Sequence, residues 1–166
     1  GGRRTAMKSL QDYRCPDWYR DAKFGIYCHW NAYSASKSSA NGWYARNMYI
    51  QGHDAYADHL KNWGHPSEVG YKDVVEAWVG DKFDAAHWVE LFKAAGAKYV
   101  LTMAVHHDNF DMWDSRHQPK WNSTNYGPKQ DICAEMKKAT EAAGLRWGVT
   151  THAARTYSWF QTNKGA

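Results

Sequence analysis

The chain has 166 residues, with 21 Lys plus Arg against 17 Asp plus Glu, a net charge of +4. That length allows one domain with a sizeable core, and a modest charge without a basic run argues against nucleic acid as a partner. No apolar stretch approaches the roughly 20 residues that cross a bilayer, and the opening "GGRRTAMKSLQD" has no apolar signal core. The outlier is aromatic content, 10 Trp and 11 Tyr. Indole faces stack on the C–H faces of sugars, so this excess suggests carbohydrate as readily as a filled core. Cys15, Cys28 and Cys133 form neither a metal spacing nor an even disulfide set.

Taken in chain order, the first strand-like run is "KFGIYCH" at 23–29, ending in His29. A Ser-rich loop follows at 33–42, and then a long excursion at 43–80 of the kind that carries function. In "FDAAHWVELFKAAGA" apolar residues recur at helical spacing, with Asp84 placed to cap the start and Gly96 the end, which predicts a helix over 84–95. "KYVLTMAV" at 98–105 predicts a second strand, ending at His106 and His107. A helix over 131–143 stops at Gly144, and "LRWGVTT" at 145–151 predicts a third strand, ending at His152. Nearly apolar runs of this length fit strands buried on both faces of a parallel sheet. Helix, glycine, strand, repeated, is the rhythm of an α/β fold.

Parallel strands bring their C-terminal ends to one rim, where α/β folds bind ligands. Three strands would deliver four histidines there. Such a set could hold a metal ion, but adjacent side chains on a strand point to opposite faces, so His106 and His107 are poor joint ligands. The set suits sugar hydroxyls equally well, with Trp30, Trp43 and Trp113 near the same rim. The acids of "HHDNFDMWDS" read differently: Asp108 orients an imidazole or caps the loop, while Asp111 and Asp114 hold the loop.

Four blocks carry a family resemblance: "DWYRDAKFGIYCHW", "GWYARNMY", "AAGAKYVLTMAVHHDNFDMWDS" and "WNSTNYGPKQDI". In this order they resemble the α-L-fucosidases, the retaining glycosidases of family 29, over about Trp18 to Phe160. The resemblance implies an α/β fold, the N-terminal portion of a (β/α)8-like (TIM) barrel with about three parallel strands, so that 1–166 forms a partial catalytic domain. It implies that His29, Trp43, His106 and His107 bind substrate, a fucosylated glycan or oligosaccharide. It implies hydrolysis of terminal α-L-fucosyl linkages with retention, no cofactor and no metal, and a secreted, periplasmic or lysosomal setting. A metal-dependent hydrolase and a non-catalytic carbohydrate-binding domain are the alternatives.

The sequence also departs from the family pattern. Asn31 stands in "HWN" where "HWG" is usual, Gly42 where an acid often precedes the Trp, and Asn109 where "HHDGF" is commoner; "THAARTYSW" replaces a "YYS" type of ending. These departures suggest a divergent branch. A retaining glycosidase needs two carboxylates about 5 Å apart. By the resemblance, nucleophile and acid/base fall beyond Ala166. Three βα units cannot close a barrel. The expectation for these 166 residues alone is no turnover, and association through a missing chain segment or as a homo-oligomer.

Overall fold

The computed structural model describes residues 2–38 and 42–159; of the Ser-rich loop, 39–41 lie outside the described residues, as does Phe160. The strands are β1 (Ile26–Cys28), β2 (Tyr99–Val105) and β3 (Arg146–Thr151). They form one three-stranded sheet in the order β1-β2-β3. Both pairings are parallel, with Ile26 opposite Val100 and Val100 opposite Trp147. The three expected strands are therefore present and share one C-terminal rim. The sheet is open, not closed into a ring.

β1 is shorter than the predicted 23–29. Lys23 takes a positive φ of 62°, a conformation that breaks an extended run. At the other end β1 stops at Cys28, so His29 stands one residue past the strand. The expectation of burial on both faces holds for the end of β2 but not for the edges: Tyr27 is 41% and Val149 47% exposed. β1 and β3 have a neighbour on one side only, so their apolar residues have less to pack against.

Before the sheet lie α1 (Gly2–Gln11) and α2 (Asp17–Ala22). Between β1 and β2 the chain runs through a 3-10 turn (Ala32–Ser36), α3 (Tyr44–Asn47), α4 (Asp54–Asn62), α5 (Tyr71–Glu76) and α6 (Ala85–Ala94). α7 (Ile132–Ala142) follows β2, and α8 (Thr156–Trp159) follows β3. The predicted caps form: the Asp84 carboxylate accepts from the His87 amide at 2.9 Å, and Asp131 from the Ala134 amide at 2.8 Å. Such caps satisfy amide groups that the helix itself leaves open. Among the described residues no helix is long and apolar enough to cross a membrane.

The core is continuous from the excursion into the sheet. Tyr44, Met48, Val74, Val75 and Trp78 of the excursion meet Val89, Val100, Phe110 and Met112, and Ile132 and Met136 of α7 complete it. The excursion is therefore a structural layer. Buried His59 ties it together, donating from Nε2 to the Val69 carbonyl at 2.8 Å and meeting the Tyr44 hydroxyl through Nδ1 at 2.5 Å. Cys133 is buried as expected, and Cys28 is only partly so.

The "WNSTNYGPK" block has a packing reason. Gly127 has a φ of +65°, and a Cβ there would meet the Trp78 ring at 2.3 Å. Left-handed backbone favours glycine, and a methyl forced into a packed ring must push it aside. Gly127→Ala is expected to cost about 2–4 kcal/mol in urea unfolding, the sum of overpacking and a strained φ. A loss under about 0.5 kcal/mol would mean that the Trp78 contact does not constrain the loop.

Candidate functional site

His29, His106 and His152 stand at the rim, one from the end of each strand, and together with Tyr33, Gly42 and Trp43 they line a cavity of about 310 Å³. The His106 ring centroid is 5.1 Å from that of His29 and 4.7 Å from that of His152. His107 is not among the lining residues, but its ring lies 4.7 Å from His106 and 5.8 Å from Trp43. The four residues expected to bind substrate thus gather in one place.

Strand alternation does not separate His106 from His107, because β2 ends at Val105. Both histidines belong to the turn that follows, where alternation no longer governs direction. Gly42 makes the close approach possible: a Cβ there would sit 3.1 Å from His106 Nε2 and 3.3 Å from His29 Cε1. A larger residue at 42 would enter the space in front of two imidazoles.

Trp30 and Trp113 belong elsewhere. Trp30 packs on Phe83 at 5.4 Å and on Trp88 at 5.0 Å. Trp113 lines an apolar cavity with Ala104, Cys133 and Trp147. Each is close in sequence to a rim histidine, but its side chain is turned into helix-packing surface. The indole that sequence reasoning missed is Trp159, buried, with its ring 4.9 Å from His107 and 5.2 Å from Trp43. Arg155 lies over Trp43 at 5.6 Å from the guanidinium carbon to the ring centroid. The missed residue nearest in sequence is Tyr33, whose position two residues after Asn31 is the mark of a side-chain-capped turn.

The surroundings of His29, His106 and His107 favour their neutral forms. Burial, then the neighbouring His107, His29 and His152, push His106 down to about 3. Burial lowers His29 and His107 as well, with His152 adding to the effect on both. His106 is 1% exposed, and its Nδ1 has no hydrogen-bond partner in the protein. A buried polar atom without a partner costs free energy, so its retention calls for an explanation beyond packing.

Asp108 does not touch an imidazole. Its Oδ2 accepts from the Tyr71 hydroxyl at 2.7 Å, and its Oδ1 from the Phe110 amide at 3.1 Å and the Asn31 amide nitrogen at 3.4 Å. It caps the loop, the second of the two roles expected of it. It is 3% exposed, and burial pushes its carboxyl up to about 6, against the lowering effect of those donors. With both oxygens engaged it is not free to attack a sugar. Asp111 is buried in the loop and Asp114 accepts nothing at the rim; the Asp114 amide donates to Asp131 at 3.0 Å.

Two departures from the family pattern have local reasons. Asn109 has a φ of +58°, which glycine adopts freely and asparagine better than most residues. Its side chain then donates to Gln118 Oε1 at 2.9 Å. Asn31, fully buried, caps the 3-10 turn by accepting from the Tyr33 amide at 3.0 Å.

One nitrogen from each of His29, His106 and His152 lies within 4.8 Å of the others, a grouping compatible with a metal ion. However, His106 and His152 stack at an interplanar angle of 11°. Stacked imidazoles direct their in-plane lone pairs side by side, not to one point. Neutral donors and acceptors beside an indole instead suit a hydroxylated ligand with an apolar face.

Comparison with known proteins agrees. A family model described as alpha-L-fucosidase matches residues 3–165. The tissue alpha-L-fucosidase of Rattus norvegicus is 33% identical over 85% of this chain and 30% of its own length. The plasma alpha-L-fucosidase of Homo sapiens is 32% identical over 86% and 30%. The crystal structure of Thermotoga maritima alpha-fucosidase superposes with a TM-score of 0.79 at 34% identity, covering 87% of this chain and 35% of that one. The same enzyme in complex with fucose superposes with a TM-score of 0.77. The chain spans somewhat under a third of the length of the curated relatives it matches.

Proposed function

Because this chain belongs to the alpha-L-fucosidase family, we propose that the whole protein hydrolyses terminal α-L-fucosyl linkages of glycans by double displacement, with retention and without a cofactor. His29, Trp43, His106 and His107 bind the fucose. The observation that carries this reading is the rim cavity, where imidazoles converge beside an indole. Imidazoles there exchange hydrogen bonds with hydroxyls, and Trp43 offers its face to the apolar side of the sugar. The described residues then form part of the catalytic domain, 1–166 in the reading above, as the N-terminal portion of a TIM-like barrel.

A retaining mechanism requires a nucleophile and an acid/base about 5 Å apart. Among the described residues no carboxylate lines the cavity. The reading therefore takes both catalytic carboxylates from outside the described residues. A secreted, periplasmic or lysosomal location fits relatives described as plasma and tissue enzymes.

An aryl α-L-fucoside given to the whole protein tests this directly. Release of the phenol is expected, with α-fucose as the first sugar anomer seen by proton NMR. β-Fucose appearing first would overturn retention. Binding of fucosides without turnover would favour the carbohydrate-binding alternative. The three gathered imidazole nitrogens are the observation favouring a metal-dependent hydrolase; stoichiometric zinc in purified protein and loss of turnover with a chelator would establish it.

A further inference from the structure

The hydrogen bonds around the rim fix which atom of two imidazoles carries the proton. The Tyr33 hydroxyl donates to the His29 carbonyl at 2.6 Å. The same oxygen lies 3.0 Å from His29 Nδ1. A phenol has one proton, and a carbonyl can only accept, so that proton is committed to the carbonyl. The His29 contact therefore requires Nδ1–H to donate to the Tyr33 oxygen. Nε2 of neutral His29 is left with its lone pair.

His107 is held in the opposite sense. The Arg155 amide donates to its Nδ1 at 3.2 Å. A backbone amide cannot accept, so Nδ1 carries the lone pair and the ring proton sits on Nε2. The two locks come from different parts of the chain. Tyr33 is placed by the Asn31-capped turn, whose amide contact is 3.0 Å, and Arg155 by the turn that enters α8.

We propose that Tyr33 and the Arg155 amide hold His29 and His107 in opposite tautomers, so that the rim presents one acceptor, His29 Nε2, and one donor, His107 Nε2–H, to two different hydroxyls of the sugar. This rests on the fucose-binding reading above for its ligand, but the tautomers themselves do not. Tyr33 is a positioning residue: it acts through His29. The lowered proton affinity of both rings, from burial first, is consistent with each remaining neutral. The consequence is directional selectivity. The hydroxyl facing His29 must donate, and the hydroxyl facing His107 must accept. Fluorine in place of a hydroxyl cannot donate, but it retains a weak capacity to accept.

The test has two arms. In protein labelled with ¹⁵N-histidine, the resonances of His29 and His107 are assigned with His29→Gln and His107→Gln. His29 is expected to be protonated at Nδ1 and His107 at Nε2. Protonation of His29 at Nε2, or of His107 at Nδ1, overturns the proposal whatever the ligand. In Tyr33→Phe the phenolic acceptor is gone, and His29 is expected to shift toward the Nε2–H form. A His29 signal unchanged in Tyr33→Phe overturns the role of Tyr33.

The second arm measures binding of monodeoxy and monofluoro fucosides to the whole protein. At one position fluorine should be as damaging as hydrogen, on the order of tenfold for one lost hydrogen bond. At another, fluorine should be better tolerated than hydrogen. In Tyr33→Phe, with His29 shifted toward Nε2–H, fluorine at the first position should become better tolerated than hydrogen, with KM rising more than kcat falls. Equal losses for fluorine and hydrogen at every position would overturn the directional claim. Expected tautomers with no affinity for any fucoside would sink the fucose reading while leaving the tautomer assignment standing.

Discussion

Replacing His106 with leucine is expected to leave the protein as stable as before or more so near neutral pH, while lowering kcat/KM for an aryl fucoside by about 100-fold or more in the whole protein. Leucine fills a similar volume in a site that is 1% exposed, and it removes a nitrogen, Nδ1, that has no partner in the protein. An unmatched buried polar atom is worth about 1–3 kcal/mol against folding, so its removal stabilises. The same change strips a hydroxyl partner from the sugar, and a site built to hydrogen-bond a hydroxyl loses heavily when one side of the pair is missing. Thermal unfolding and steady-state kinetics on one preparation decide the matter. A Tm drop of more than about 8 °C would show that His106 holds the fold by an interaction not recognised above.

The pH dependence gives the same variant a second signature. His106 is pushed from 6.5 down to about 3 in the folded state. Below pH 6.5 the unfolded chain takes up a proton that the folded chain refuses. Stability contributed by this group is therefore present above about 6.5 and is lost as pH falls toward 3. The loss is on the order of 4–5 kcal/mol at the acid end. It should be absent in His106→Leu, which makes the variant relatively more resistant to acid.

Asp108 should give the other large effect, in the opposite pH direction. Asp108→Ala leaves the Tyr71 hydroxyl, the Asn31 amide and the Phe110 N–H without their acceptor in a buried site. The expected cost is about 3–5 kcal/mol, on the order of two unmatched buried groups, since one of the three donors can find another partner on relaxation. Asp108→Asn should cost less, about 1–3 kcal/mol. Its oxygen still accepts from Phe110, and its nitrogen can donate to the Tyr71 oxygen, but the Tyr71 proton is left without its acceptor. The parent carboxyl rises from 3.8 to about 6 on folding, so the folded state holds a proton that the unfolded state has released. This contribution is present below about pH 4 and is lost as pH rises through 6, on the order of 2–3 kcal/mol. Urea titrations at pH 4 and 7 should show that difference in His106→Leu, where the opposing histidine slope is gone, and not in the double variant His106→Leu/Asp108→Asn. The opposed slopes of Asp108 and His106 overlap between about pH 4 and 6, so each variant should unmask the slope of the other.

The readable features of the sequence were local ones. The apolar run at 98–105 marked β2 because a short buried strand has little room for polar residues, and the β-branched and aromatic run at 145–151 marked β3 although that edge strand is not buried. Asp84 and Asp131 marked helix starts because a carboxylate facing open amides is a short-range interaction. The rim histidines were legible through topology, since parallel strands leave their final residues on one edge. What was not legible depended on distant partners. Asp108 meets Tyr71 across 37 positions and Asn31 across 77, and nothing in the sequence pairs them. Trp30 and Trp113 were placed at the rim by proximity in sequence, yet an indole beside a strand end can turn either way. Trp159 is separated from Trp43 by β2 and β3 in sequence and adjoins it in space.

The step in β2 where the register with β3 shifts between Met103 and Val105 bears on how this architecture tolerates change. The Ala104 carbonyl accepts from the Met112 amide at 2.8 Å, and Val105 bridges Asp111. His106, His107 and Asp108 thus lie inside a turn tied shut at its base. The stretch from 113 to 131 is itself tied back to that knot: the Trp121 carbonyl accepts from the Asp111 amide at 3.3 Å, the Ser123 amide donates to the Asp111 carbonyl at 2.9 Å, and the Gln118 side chain donates to the Asn109 carbonyl at 2.6 Å. Length changes away from these ties, as at the exposed positions 116–117, can be absorbed without altering the frame of the two histidines. A single residue gained or lost between 104 and 112 has no such freedom, because it must either break the knot or rotate both imidazoles away from the cavity.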